Sequence, residues 1–358
     1  ADAIARIHEM TARTAGHNDD GPGALRDRQK AAFGNATVAL DAGEPRLALS
    51  LVADLPEAGS RMPTSSIKAA ASLQLGSRAD FDSYLSEFAS SNELRPWFRP
   101  VGFHQQLECL RMLLDGAFGE VDQQVATIRA TTVGDPNFEL GCQAQLIWRN
   151  VEIGKASKRA DSTARLIPSL PDLPMLRPQL AWQLAEAGRV GEARDLLDEL
   201  APDDFAAAGR GWLSSAGFAY LAYAAIATAS VHHATVLRHL LQPWAGQALV
   251  VAGATHVIAS CDRMLAGLSH LLGEHEDADR LFVAALTFEE DGLRSPPLAA
   301  RTRHWWARAL IERGEHQRAQ PLLTASRATA AQLGMLGLVD QLYTLINQQC
   351  TQPASATA

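Results

Sequence analysis

A glycine or alanine followed five positions later by another small residue recurs along this chain. The clearest copies are Gly43 with Ala48, Gly188 with Ala193, Gly273 with Ala278, and Gly314 with Ala319. Weaker copies begin at Gly76, Gly116, Gly154 and Ala229, and the first three of these carry Phe81, Val121 and Arg159 at the second position. Successive copies begin 33 to 44 residues apart, and apolar residues at helical spacing flank most of them.

This spacing predicts that each copy is a pair of short helices joined by a tight turn. A glycine tolerates the left-handed backbone that ends a helix, and the small residue lets the second helix lie close to the first. A period of this length is the signature of a helical solenoid. We therefore expect an all-α, right-handed superhelical solenoid of about eight helical hairpins. The alternative is that the pattern recurs by chance in an alanine-rich helical protein.

The array is expected to cover residues 31–350. Residues 1–30 contain HNDDGPG and predict an N-terminal helix followed by a flexible segment, and the small polar residues 351–358 predict a disordered tail. The proline-rich stretch LIPSLPDLPML, residues 166–176, is interpreted as a turn within the array because the spacing continues across it.

A resemblance can be stated for the C-terminal quarter. The units resemble tetratricopeptide repeats, although most intervals exceed the about 34 residues of that family. Residues 243–335, above all ARALIERGEHQRAQPLL followed by TASRATAAQLGM, are similar to the C-terminal helical array of large bacterial regulatory ATPases. These are LuxR-type activators of the maltose-regulator kind, a group of STAND ATPases, and relatives fused to adenylate cyclase domains.

The resemblance implies a sensor and scaffold region, with a protein partner or the regulator's own ATPase domain bound on the concave face. The chain departs from whole members of the family: it contains no GxxxxGK[ST] phosphate loop, and no helix-turn-helix domain follows the array. Nucleotide and DNA chemistry are therefore not expected in this region.

Composition narrows the function further. A net charge of −8 argues against nucleic acid or an anionic membrane as the main partner. The four cysteines lie far apart, which favours core positions in a reducing, cytoplasmic setting over a zinc site, and the first residues lack a secretion signal. The histidines of VHHATVLRH have no further ligands nearby, and no catalytic group of residues stands out. We expect no enzyme activity, no metal and no cofactor.

The middle of the chain is almost uncharged. Arg238 is the one permanently charged residue in positions 211–261. The segment from Trp212 to Val231 is long enough to span a bilayer, but its alanine, serine and threonine content favours a central repeat buried by its neighbours. A homodimer through this apolar stretch is left open.

Candidate binding residues are the large aromatic and basic side chains of the first helices and the central units. They are Trp148, Arg149, Trp182, Trp212, Tyr220, Tyr223, Trp244, Arg303 and His304. One member of each adjacent pair is expected to face the core and the other the groove, because neighbouring helix residues lie about 100° apart. A non-catalytic scaffold is the first expectation. The alternative is a small-molecule receptor with an aromatic pocket in the central units.

Overall fold

A computed structural model describes residues 22–55, 64–93, 101–170, 173–208, 213–251 and 254–351. Within these ranges the chain is predominantly helical, and its helices form eight consecutive pairs that we call units 1 to 8. The first four units are α1 (Pro22–Asp41) with α2 (Pro45–Val52), α3 (Thr64–Gln74) with α4 (Arg78–Glu93), α5 (Val101–Asp115) with α6 (Val121–Thr131), and α7 (Pro136–Glu152) with α8 (Ala156–Leu166).

The other four units are α9 (Leu176–Glu186) with α10 (Val190–Leu200), α11 (Ser214–Ala227) with α12 (Val231–Leu241), α13 (Cys261–Leu271) with α14 (His275–Thr287), and α15 (Pro296–Glu312) with α16 (His316–Leu333). A last helix, α17 (Leu336–Thr351), follows unit 8. Short helical turns at Ile167–Ser169, Pro202–Phe205, Gln242–Trp244 and Phe288–Gly292 lie between units.

All eight predicted turn positions are confirmed. Each has a positive φ, from 72° to 79° at the seven glycines and 53° at Ala229. The same two backbone hydrogen bonds close every turn: in unit 8, Gly314 N–H donates to Ile311 O at 2.9 Å and Glu315 N–H donates to Leu310 O at 2.8 Å. This pair of bonds is the Schellman motif, which satisfies the last carbonyl groups of a helix.

The small residue five positions after each turn is buried as predicted. Ala48, Ala193 and Ala319 are fully buried, and Ala278 is 1% exposed. The weaker copies place Phe81 and Val121 in the core instead. Unit 4 is the exception: Arg159 is half-buried and the neighbouring Ala160 takes the core position.

The first helices of the units form an inner layer. Each contacts the second helix of its own unit, and first helices of successive units also contact one another, as α5 does with α7 and α9 with α11. In α11, every residue from Ser215 to Ile226 is buried, which confirms the interpretation of this apolar segment as a repeat enclosed by its neighbours. No helix in the described ranges combines the length and apolar character that a bilayer crossing requires.

A β-hairpin interrupts the helices between units 6 and 7, where the sequence predicts only further repeat helices. Strands β1 (Ala248–Val251) and β2 (His256–Ser260) pair in antiparallel register, with Ala248 opposite Ser260 and a bulge between Leu249 and Val250. The β-hairpin contacts five first helices, α3, α5, α7, α11 and α13, and the helical turn Phe288–Gly292. We call the surface that the first helices, including α9, and this turn present on the side of the β-hairpin the inner face.

The array closes on itself, because the turns of units 1 to 4 are covered by later units. A Cβ at Gly43 would lie 2.6 Å from Pro243 O, and one at Gly76 would lie 2.5 Å from the Phe288 ring. Gly116 likewise faces Leu333, and Gly154 faces Leu336. The turn glycines of units 5, 7 and 8 have nothing within 4 Å of that position.

Two predictions at the ends of the array need comment. Helix α1 begins at Pro22, which suits the first position of a helix, and continues to Asp41 across residue 30, so the domain boundary expected there stays a prediction. Residues 1–21 and 352–358 lie outside the described residues, as does Trp212.

Candidate functional site: the inner face

Aromatic side chains from units 4, 5 and 6 stack along the inner face. Trp148 on α7 stacks on Trp182 on α9 with ring centroids 5.3 Å apart, and Trp182 stacks on Tyr220 on α11 at 5.0 Å. Tyr223, one helical turn after Tyr220, packs edge-on against Trp305 at 4.7 Å. Trp148, Trp182 and Tyr223 each lie six residues before the turn of their unit, so the repeat itself aligns them.

The β-hairpin lies against these aromatic residues. The His256 ring stacks on Trp148 at 5.3 Å, and its Nε2 shares a 2.9 Å hydrogen bond with the Tyr220 hydroxyl. His256 is 1% exposed. Burial lowers the pKa of this imidazole to about 3, so the ring is neutral at physiological pH.

Side chains of the array also bind the main chain of the β-hairpin. Gln145 on α7 donates from Nε2 to Thr255 O at 3.0 Å, and Arg263 on α13 donates to Ile258 O at 2.8 Å. The Glu289 carboxylate accepts the Ser260 N–H at 3.0 Å. All three of these side chains are at most 1% exposed. The inner face therefore recognises a segment of non-helical backbone through three buried polar side chains.

A buried charge cluster joins units 4, 5 and 8. The Arg301 guanidinium donates to Glu152 Oε1 and to Glu186 Oε1, both at 2.8 Å. The Tyr223 hydroxyl also contacts Glu186, and Gln341 on α17 donates to its other oxygen at 2.9 Å. Burial raises the pKa of Glu152, and the adjacent guanidinium offsets that effect. The cluster bridges the two halves of the closed array.

A second buried pair lies beside the β-hairpin. Glu289 is fully buried and accepts a hydrogen bond from Thr302, with Arg263 at 3.9 Å. Burial raises the pKa of Glu289, against the effect of Arg263. Together the two clusters hold three carboxyl groups and two guanidinium groups, and every one of these charges has a partner on the protein.

The predicted site residues are brought together only in part. Trp148, Trp182, Tyr220 and Tyr223 meet on the inner face, but the others lie apart: Arg149 pairs with Asp122 of α6, Trp244 packs against the Gly43 turn, and Arg303 pairs with Glu290. His304 is 7% exposed, and burial lowers its pKa to about 3.

One residue of each adjacent pair was expected to face a groove, but both residues are buried in two of these pairs. Trp148 and Arg149 are 5% and 7% exposed, and Trp182 and Gln183 are 1% and 0% exposed. Whether these residues bind a ligand or a partner stays a prediction.

A small cleft opens elsewhere, between units 6, 7 and 8. Its volume is about 310 Å³ when the space at its open mouth is included, and its lining includes Ile226, Phe282 and Trp305. At its rim, Glu312 accepts hydrogen bonds at 2.8 Å from Arg308 Nε and is 2.8 Å from His270 Nε2. These contacts hold the pKa of Glu312 down at about 2 despite its partial burial. The rim charges are satisfied by one another.

Sequence reasoning missed the polar residues that hold the β-hairpin, namely Gln145, His256, Arg263 and Glu289. One usable signal was present: Gln145, Trp148 and Glu152 follow the i, i+3, i+7 spacing of one helix face, and Gln179, Trp182 and Glu186 repeat it in the next unit. A polar, aromatic and acidic series at equivalent positions indicates an inner surface.

Comparisons with protein-family models, with curated proteins and with solved structures found no match. Among the described residues, no three His, Cys, Asp or Glu side chains converge in the way that metal ligands do.

Proposed function

We propose that this chain is a non-catalytic scaffold that binds a segment of protein on its inner face. One observation carries the proposal: three buried side chains and an aromatic stack already hold non-helical backbone there. Main-chain hydrogen bonds combined with side-chain contacts are the way in which many interaction domains hold extended peptides. The stacking of first helices supports a right-handed, TPR-like solenoid as the architecture.

The resemblance to LuxR-type and STAND regulators supports a place for this scaffold in a bacterial, cytoplasmic signalling or transcription regulator. In that setting the bound segment belongs to a partner protein or to the regulator's own ATPase domain. The acidic net charge of −8 favours a protein over DNA or RNA as the partner.

The alternative proposal is a small-molecule receptor. The aromatic stack of Trp148, Trp182 and Tyr220 supports it chemically, but its rings are in contact with one another and with His256. A ligand pocket usually encloses about 300–1,000 Å³. The volume of the cleft described above reaches the lower end of that range only when the space at its open mouth is included. The scaffold is therefore the stronger proposal.

The test is a selection of displayed random peptides against the folded chain, with a thermal-shift screen of metabolites in parallel. We expect selected peptides to bind wild type and to lose affinity in Trp148→Phe, which removes the indole that stacks on His256. Trp306→Phe is the matched control, because Trp306 donates a hydrogen bond to Asp279 and stacks on Phe282, both on the second helix of unit 7, α14.

Equal loss in both tryptophan variants would count against the inner face as the binding surface. A saturable rise in melting temperature with one class of metabolite, and no selected peptide, would favour the receptor. A ligand at a hundred times its dissociation constant stabilises the folded state by about 2.7 kcal/mol, which such a screen detects readily.

A further inference from the structure

The β-hairpin is built as a separate piece of the chain. Its two ends meet, because Cys261 N–H donates to Gln247 O at 2.8 Å and Ala248 pairs with Ser260. Gln247 is anchored independently, donating to Gly43 O at 2.9 Å and accepting from Gln74 Nε2 at 3.0 Å. The chain beside the β-hairpin is therefore anchored at Gln247 as well as through the β-hairpin itself, whose apolar side chains pack in the main core.

The β-hairpin differs in chemistry from the surface that holds it. Its strands, ALVV and HVIAS, carry no permanently charged side chain, whereas the inner face supplies Gln145, Arg263 and Glu289. Side chains of the array make three hydrogen bonds to its main chain, and its own Leu249, Val251, Val257 and Ile258 pack in the core. A segment held through its backbone can be replaced by another segment of similar shape, because backbone groups are common to all sequences.

We propose that the β-hairpin is an internal occupant of the inner face, and that a partner's extended, uncharged segment binds by displacing it. This inference rests on the proposed scaffold function and names the class of partner. The replacing segment should carry an imidazole or aromatic side chain where His256 stacks on Trp148 and reaches Tyr220. The affinity of any such segment is reduced by the fraction of molecules in which the β-hairpin is released.

The meeting of the two ends permits a direct test. Replacing residues 249–259 by Asn-Gly keeps Ala248 opposite Ser260 and closes the ladder with a two-residue turn. Ser260 also remains to cap α13, where its hydroxyl accepts Asp262 N–H. The probe is a fluorescein-labelled peptide of residues 248–260 with lysines added at both ends for solubility, followed by fluorescence anisotropy.

We expect the shortened chain to bind this peptide saturably and wild type to bind it at least about 100-fold more weakly, as a largely occupied site requires. Adding Gln145→Ala to the shortened chain should weaken binding by about tenfold, the effect of one lost hydrogen bond. The control peptide carries His256→Ala and should bind less tightly. A folded shortened chain that does not distinguish the two peptides would overturn the proposal.

Hydrogen exchange is measured on the wild-type protein, so it tests the proposal even if the shortened chain does not fold. We expect amides of residues 248–260 to exchange at least about tenfold faster than those of α11, through an opening that leaves the helices intact. Equal protection in the two segments would overturn the proposal, since the β-hairpin would then open only when the array unfolds.

The two proposals can fail separately. If displayed peptides bind wild type while the β-hairpin amides keep their protection, the scaffold function stands and displacement is wrong. If no peptide binds either wild type or the shortened chain, both proposals fail.

Discussion

Alanine at two equivalent turn glycines should have very different effects on stability. Gly76 and Gly314 have φ values of +75° and +78°, and the same hydrogen bonds close both turns. Each substitution therefore carries the same conformational cost, about 1–2 kcal/mol for a side chain in the left-handed region. Only at Gly76 would the new Cβ meet another part of the chain, at 2.5 Å from the Phe288 ring.

The contact with Phe288 adds an overpacking cost of about 1–3 kcal/mol. We expect Gly314→Ala to lower the free energy of unfolding by about 1–2 kcal/mol and Gly76→Ala to lower it by about 2–5 kcal/mol. Equilibrium unfolding in urea, followed by far-ultraviolet circular dichroism, measures both variants on the same transition. Phe288→Leu in the Gly76→Ala background removes the clashing ring atoms and should recover part of the difference.

Equal destabilisation by the two alanine variants, within about 0.5 kcal/mol, would refute the reasoning. It would mean that the turn of unit 2 does not lie against the connection after unit 7 in solution. The array would then be open on that side, and the burial described for the inner face would need revision.

Three further predictions concern the buried residues. Arg301→Met should lower the free energy of unfolding in urea by about 3–5 kcal/mol, because it leaves Glu152 buried without its partner. Adding Glu152→Gln should restore part of the lost stability. If the double variant were no more stable than Arg301→Met, the pairing of Arg301 with Glu152 would be contradicted. The pKa of His256 is about 3 when folded and about 6.5 when unfolded, so the unfolded chain binds the extra proton and stability is lost as pH falls below 6.5. Between pH 7 and 5, wild type should therefore lose about 2 kcal/mol more than His256→Phe in urea titrations, and parallel pH profiles would argue against a buried neutral imidazole. Ala278→Leu should lower the free energy of unfolding by about 1–3 kcal/mol in the same assay. Val283→Leu, at a half-exposed position of the same helix, should change it by less than about 0.5 kcal/mol. Similar effects of the two substitutions would contradict close helix packing at Ala278.

The turns could be predicted from sequence because their cause is local. A left-handed residue at the end of a helix and a small residue one turn into the next helix leave a signature six residues long. Ala229 shows that the signature also identifies a turn without glycine: Ala229 and Ala234 occupy the two positions of the pattern, and the φ of Ala229 is 53°. The large partner at Phe81 was read as a weakness of the pattern, yet it is fully buried.

The inner face could not be predicted, because its causes are non-local. The strands of the β-hairpin are short apolar runs, which cannot be told from buried helix by periodicity. The two partners of Arg301, Glu152 and Glu186, are 149 and 115 residues away from it in sequence. Only the closure of the array brings these groups together, and no window of sequence contains that information.

The closure also limits how this chain can change in length. In an open array each repeat contacts only its neighbours, so copies can be gained or lost at the cost of one interface. Here the turns of units 1 to 3 lie against Pro243, Phe288 and Leu333 in the same order along the chain. If a unit between unit 3 and Pro243 were deleted, all three of these turns would lie opposite the wrong residues. We therefore expect gain or loss of a unit in the middle of this chain to disrupt its closure, so that its number of units is part of its structure.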